Sequence, residues 1–240
     1  MQEWRDEAFL LSARPLGERG VVAHVLSRSH GRCAGLIHGG QAQSRRGWLQ
    51  PGARLEVSWR ARLAEQLGHF VIEPLISHGG RVLSDPDRLA ALASALALLD
   101  NSLAERDPHP EAFASLETLL QTLDSADDWG AAYLEWECRL LSLLGYGLPR
   151  ERFAEDDGFL DLENWSVIAK ASLRPRSCLA LPGMLCSGAR HGGASRRDLG
   201  EALSFLATLL AVRVFRPLDR DLPAARYNLL NRFGVGLAEV

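Results

Sequence analysis

The chain has 240 residues, 47% apolar and 24% charged, with a formal net charge of −3. Soluble globular proteins average roughly 45–50% apolar and about 25% charged, and 22 Gly with 11 Pro are too few for a collagen-like or disordered chain. No stretch supplies the roughly 18 apolar residues of a membrane span, and acidic residues in Met1 to Glu7 stand where a signal peptide would be basic.

In chain order, residues 1–80 read as short strands. Ala8 to Pro15 is an apolar run ending at a proline, Gly17-Glu18-Arg19-Gly20 is a turn, and Val21 to Ser27 is rich in β-branched residues. Turn chemistry at Ser29 to Arg32 precedes Cys33 to His38, and Leu49-Gln50-Pro51-Gly52 precedes Arg54 to Arg60. Leu67 to Glu73 closes the set. Five short strands between Gly/Pro turns predict a small closed barrel. In Arg54 to Arg60, Leu55, Val57 and Trp59 alternate with polar residues, which turns the first three inward and the arginines outward.

The period then changes. Asp85-Pro86 caps a helix carrying Leu89, Leu92, Leu96 and Leu99, and Pro110 opens a second through Leu116, Leu119 and Leu123. Asp127-Asp128-Trp129 opens a third that stops at Gly145. Ser195 starts a fourth through Leu199, Leu203, Leu206 and Leu210, and Pro223 a short last one. Residues 150–194 match neither pattern and read as a loop-rich insertion. The expected domains are 1–80, a barrel, and 81–240, a helical region containing that insertion.

Charge divides along the same line. Residues 1–80 hold ten Arg against seven acidic residues, for +3, and the rest of the chain carries −6. Lys170 is the only lysine. Arginine forks onto phosphate, and a basic block in an acidic chain points to a polyanion. The expected nucleic-acid contacts are Arg14, Arg19, Arg28, Arg32, Arg45, Arg46, Arg60 and Arg62, with Trp48 divided between stacking and packing. Trp59, in phase with Leu55 and Val57, is expected in the core.

Catalytic motifs are missing. Lys170 has no glycines around it for a P-loop, and neither G-x-S-x-G nor H-E-x-x-H occurs. His24, His30, His38 and His69 are assigned to exposed or turn positions of the barrel. Cys178, Cys186 and His191 are too widely spaced for a structural zinc site, and four cysteines without C-x-x-C suggest free thiols in a reducing cytoplasm. No metal or other cofactor is expected. The alternative from another class is a metal-dependent nuclease using Asp156, Asp157, Asp161 and Glu163.

Three stretches then carry a resemblance: Trp4 to Gly20 with the following strand and His30-Gly31-Arg32; Leu49-Gln50-Pro51-Gly52 leading to Trp59; and Tyr133 to Leu148, the most specific. A weaker fourth is Leu222 to Arg226. On these the chain resembles the RecO family of bacterial recombination mediators. The resemblance implies an α+β protein with an N-terminal OB-fold, a helical bundle and a zinc-finger-like insertion. It further implies a non-catalytic protein that binds single- and double-stranded DNA and anneals complementary strands. Such proteins work with RecR to load RecA onto DNA coated by single-stranded-DNA-binding protein (SSB), whose acidic C-terminal tail they dock; a cytoplasmic, nucleoid-associated protein follows. Arg139 and Arg226, in matched segments, are the expected partner-binding residues. Many family members place C-x-x-C soon after the segment matching Leu144 to Gly147. Here Arg152 to Asp156 hold no cysteine, so the zinc site is expected to be lost and the insertion to be a degenerate one.

Overall fold

A computed structural model describes residues 2–42, 47–63, 66–76, 80–149, 158–169, 178–186 and 195–238. The chain divides into two compact units, Met1–Ser125 and Ala126–Val240, and is an α+β protein.

The first unit opens with five strands: β1 (Gln2–Leu16), β2 (Gly20–Ser27), β3 (Gly31–His38), β4 (Arg54–Ala61) and β5 (Gly68–Ile76). They close a barrel in the order β1-β2-β3-β5-β4, with β3 and β5 parallel and the other pairs antiparallel. This is the small closed barrel expected from the strand spacing, and the OB-fold that the resemblance implies. Leu55, Val57 and Trp59 are buried inside, as their alternation predicts.

β1 is almost twice the expected length, because its first half pairs with β4 and its second half with β2. A register shift between Leu10 and Ser12 bends it from one partner to the other. The unbroken run Ala8 to Leu11 is buried on both sides. Ala8 and Leu10 belong to the barrel core, while Phe9 stacks outside on Phe113, ring centroids 4.7 Å apart. Burying a side chain of that size contributes about 1.5–3 kcal/mol.

Phe113 lies on α3. The helices of this unit are the short α1 (Gly80–Ser84), α2 (Pro86–Ser102) and α3 (Pro110–Ser125). Asp85 caps α2, accepting from the backbone N–H groups of Asp87 and Arg88 ahead of Pro86 at the first turn. Near the other end of α2, the Asp100 carboxylate accepts from Ser12 Oγ at 2.9 Å, meets His24 Nδ1 at 2.6 Å, and lies 3.5 Å from Arg32 Nη1. One carboxylate thus ties a helix to three adjacent strands. Burial favours its protonated form, but His24, Ser12 and Arg32 outweigh that and hold its pKa below the ordinary aspartate value. Gly31, at φ +68°, takes the left-handed conformation at the start of β3 and lies so close to the Asp107 carbonyl that a Cβ would collide with it.

The second unit contains α4 (Trp129–Leu143), α5 (Arg196–Leu209) and α6 (Ala224–Arg232). Ser195 and Asp198 form a capping box on α5. The expected single helix through Leu210 instead passes into a π-helical segment, Leu210–Phe215, and then a 3₁₀ turn, Arg216–Leu218. The described residues of the insertion include three strands that its composition did not suggest: β6 (Gly158–Asp161), β7 (Ser166–Ala169) and β8 (Cys178–Ala180) form an antiparallel sheet in the order β7-β6-β8. Such short strands fall below what hydrophobic periodicity detects. No helix among the described residues is long and apolar enough to cross a membrane.

Candidate nucleic-acid interface

Strand register builds an outward row around the barrel. Arg14 on β1 stands opposite Val22 on β2, Val22 opposite Leu36 on β3, Leu36 opposite His69 on β5, and His69 opposite Arg60 on β4. Directly paired residues share a face. Arg14, His69 and Arg60 are exposed, and Val22 and Leu36 are half-buried. One step along, His38 stacks on His69 with ring centroids 4.9 Å apart and planes at 19°, and His38 Nε2 lies 3.0 Å from His69 Nδ1. At the level of His24 and Arg32 the outer face is instead occupied by Asp100 of α2. The open surface is therefore the part of β2 and β3 between the β1–β2 turn and the β4–β5 loop. These strands and loops are the ligand-binding face of OB-folds.

The arginines of the basic block divide into two groups. Arg28 Nη2 donates to Glu7 Oε2 at 2.9 Å and its guanidinium lies over the Phe113 ring, 4.4 Å from the centroid. Arg54 shares the same Glu7 and also pairs with Glu117. Together Arg54 and Arg28 hold the Glu7 carboxyl below its ordinary pKa. Arg60 pairs with Glu3 at 2.6 Å. Arg32 is largely withdrawn from solvent, donating from Nε to the Leu103 carbonyl at 3.0 Å. Arg14, Arg19 and Arg62 are different: all three are exposed, and none has an ion-pair partner among the described residues. Arg19 sits in the β1–β2 turn and Arg62 in the β4–β5 loop, on either side of the open face. Arg45 and Arg46 lie outside the described residues.

The aromatic residues follow the same logic. Trp59 is buried, as expected, donating from Nε1 to the Ala34 carbonyl at 3.3 Å. Trp48 is half-buried and packs against the barrel core. Sequence reasoning passed over the Val22–Leu36–His38–His69 surface. Alternation marks each of these positions as outward, but the parallel β3–β5 pairing that joins them has no local signal.

In the second unit the two partner-binding expectations separate. Arg139 is exposed, within 3.4 Å of Glu135 one turn back along α4. Arg226, expected at the rim of a docking groove, is fully buried, and that expectation is corrected. Its Nε donates to Glu137 Oε1 at 2.6 Å, and its Nη2 to Glu137 Oε2 at 3.0 Å and to the Leu203 carbonyl at 2.7 Å. The guanidinium is held by a buried carboxylate that must be neutralised, so it joins α4, α5 and α6 instead of meeting a partner. Burial shifts the Glu137 carboxyl upward, against the pull of Arg226 and of the Tyr133 hydroxyl.

Of the acidic stretch, Asp161 and Glu163 are among the described residues. Asp156 and Asp157 lie outside the described residues. Asp161 accepts from the backbone N–H groups of Glu163 and Asn164 and from the Asn164 amide, 2.7 Å away. These bonds lower its pKa and occupy it in closing the β6–β7 turn. Cys178 lies on β8 opposite Asp161, and the buried Cys186 points its thiol at the Pro182 carbonyl, 3.5 Å away. His191 lies outside the described residues. No group of three or more His, Cys, Asp or Glu among the described residues is placed to hold a metal ion.

Two family models match the chain: Recombination protein O N terminal over residues 1–74 and Recombination protein O C terminal over residues 83–221. A DNA repair protein RecO of Rhodospirillum centenum is 38% identical over 241 residues, covering 96% of this chain and 94% of its own length. The chain belongs to the RecO family. Another RecO, from Phenylobacterium zucineum, is 36% identical over 237 residues, 96% of this chain and 97% of its own. The residues that carried the sequence resemblance lie in the barrel, in α4 with the turn after it, and at the start of α6; this is a RecO-family DNA repair protein with the family's OB-fold and helical region. Nothing among the described residues favours the nuclease alternative.

Proposed function

We propose that this RecO-family chain binds single- and double-stranded DNA on the outer face of its barrel and anneals complementary strands without covalent chemistry. The observation that carries the reading is the open row Arg14–Val22–Leu36–His69, flanked by the unpaired arginines Arg19 and Arg62. Apolar and imidazole surface between cations suits single strands, whose bases lie on flat faces while their phosphates meet the charges. Annealing needs two polyanions held side by side with their repulsion screened. In the cell the protein would act with RecR to load RecA onto SSB-coated DNA, in the cytoplasm at the nucleoid. Arg139 stays a candidate for docking the acidic SSB tail, and Arg45 and Arg46 stay candidates for DNA.

The test is fluorescence anisotropy of a labelled oligonucleotide titrated with protein at several salt concentrations. Each phosphate contact to a single strand contributes about 0.7 to the slope of log affinity against log salt. Replacing Arg14, Arg19 and Arg62 by Gln is expected to lower that slope by about 2. Arg32→Gln, which removes a charge already engaged by Asp100, is expected to change the slope little. Equal slopes for wild type and triple variant would remove the three arginines from the interface, and salt-independent binding would refute the reading.

A further inference from the structure

The β4–β5 loop exposes two large apolar side chains beside an open cation. Leu63 and Leu67 are 62% and 48% exposed. Arg62 next to them is exposed and without an ion-pair partner among the described residues. Leu67 leads directly into β5, two residues before His69 of the outward row. A single exposed leucine is ordinary. Two of them, held in place at the edge of a cationic face, call for an occupant.

What holds them is Arg106, between α2 and α3. Its Nη2 donates to the Gln66 carbonyl at 3.0 Å, and its guanidinium lies over the Trp59 ring, 5.1 Å from the centroid. Its backbone N–H donates to the Arg32 carbonyl at 2.8 Å, and Glu105 Oε1 lies 3.5 Å from the same Nη2. Arg106 takes φ +62°, a left-handed conformation that a non-glycine residue keeps only where its surroundings impose it. Within the loop, the Gln66 N–H donates back to the Leu63 carbonyl at 3.2 Å. Gly68 follows, so close to Trp59 that a Cβ would collide with the indole Nε1. One residue from outside the barrel thus ties the loop to a core tryptophan, and both leucines stay in solvent.

A duplex keeps its bases paired and stacked and turns its phosphates outward, whereas a single strand also offers base faces to apolar side chains. Arginines therefore serve both forms, but an exposed leucine gains only from a base it can cover. The occupant that matches Arg62 and the two leucines together has an anionic backbone and uncovered bases. Resting on the reading of the barrel face as a nucleic-acid interface, we propose that Leu63 and Leu67 contact unpaired bases and set a preference for single over double strands, with Arg106 as the positioning residue that holds them there.

The experiment is anisotropy of the full chain with a labelled oligothymidylate and a labelled duplex of equal length, each at several salt concentrations. Leu63→Ser combined with Leu67→Ser is expected to weaken single-strand binding about tenfold, as the loss of covered leucine surface allows. Duplex affinity should stay within about twofold of wild type and both salt slopes should be unchanged, because no phosphate contact is lost. Leu63→Phe, with a flat ring for a base, should bind the single strand at least as tightly as wild type. Arg106→Met keeps an apolar stem over Trp59 but no donor for Gln66, and should reproduce the leucine pattern; Arg106→Lys should restore most of the loss. Circular dichroism melts establish that the variants are folded, and the leucine variant, altered only at the surface, carries the test alone if Arg106→Met is unstable. Equal losses on single strand and duplex in the leucine variant, or no loss on either, would overturn base contact and leave the interface standing. A lowered salt slope in Arg106→Met would make Arg106 a phosphate contact and overturn its positioning role. Wild type without salt-sensitive binding to either form would overturn the proposal together with the interface.

Discussion

Replacing Arg226 by Met tests the interior of the second unit. The substitution keeps an unbranched apolar stem but removes three donated hydrogen bonds, two to Glu137 and one to the Leu203 carbonyl. Glu137 is left fully buried with only the Tyr133 hydroxyl, 3.5 Å away. Breaking a buried ion pair from one side costs about 3–5 kcal/mol, because the remaining charge has no partner and no water. For the residues of Ala126–Val240, an unfolding entropy of about 2.1 cal/mol/K per residue turns that into a fall in Tm of about 12–20 °C. The loss should depend on pH. Burial already raises the Glu137 carboxyl, and without Arg226 little opposes it. A carboxyl raised in the folded state is tolerated below its unfolded pKa of about 4.3 and penalised as pH rises through the folded value. The deficit of the variant against wild type should therefore be smallest near pH 5 and grow toward pH 8. Arg226→Met with Glu137→Leu should recover most of the loss, since two apolar side chains leave no charge behind. Thermal and urea unfolding followed by circular dichroism measure all three. A loss below about 1 kcal/mol for Arg226→Met, independent of pH, would mean that the guanidinium reaches solvent, and would restore it as a docking residue.

Asp100→Ala should cost about 2–3 kcal/mol in the first unit, since it removes a charged acceptor shared by Ser12, His24 and Arg32. Because the Asp100 pKa is depressed in the fold, its contribution is present above the unfolded value of about 3.9 and lost as pH falls through the folded one. The acid limb of the unfolding curve should flatten in Asp100→Asn, and an unchanged limb would refute the assignment. Gly31→Ala should destabilise by about 1–3 kcal/mol from left-handed strain, before the collision with the Asp107 carbonyl is counted. Urea midpoints equal within error would show that the β2–β3 turn relaxes.

Much of this fold was legible because local chemistry and burial agree. The alternation of Leu55, Val57 and Trp59, the Asp85-Pro86 start of α2 and the Ser195 cap of α5 are each read correctly from a few adjacent residues. What escaped depends on distant partners. The apolar run Ala8 to Leu11 announces burial but not that one side faces the barrel and the other Phe113. Arg226 looks like a surface cation until Glu137, far away in sequence, comes to lie beside it. The short strands of the insertion carry too few residues to show a period, and the surface joining His38, His69, Val22 and Leu36 exists only through the parallel pairing of β3 with β5.

Charge shows the same dependence on distance. The basic block of residues 13–62 contains nine arginines and only two acidic residues, which suggests a uniformly cationic face. Its neutralising partners come from outside that window: Glu3 and Glu7 from the start of β1, Asp100 from α2 and Glu117 from α3. An exposed pair such as Arg60–Glu3 contributes about 0–1 kcal/mol, so a phosphate can replace Glu3 at little cost. Arg32, held by Asp100 and the Leu103 carbonyl away from solvent, cannot be recruited so easily. The number of arginines in a sequence window therefore overstates the charge open to a polyanion. What the barrel presents is set by which carboxylates fold back onto it, and among the described residues they leave unpaired Arg14 near the end of β1, Arg19 in the β1–β2 turn and Arg62 in the β4–β5 loop.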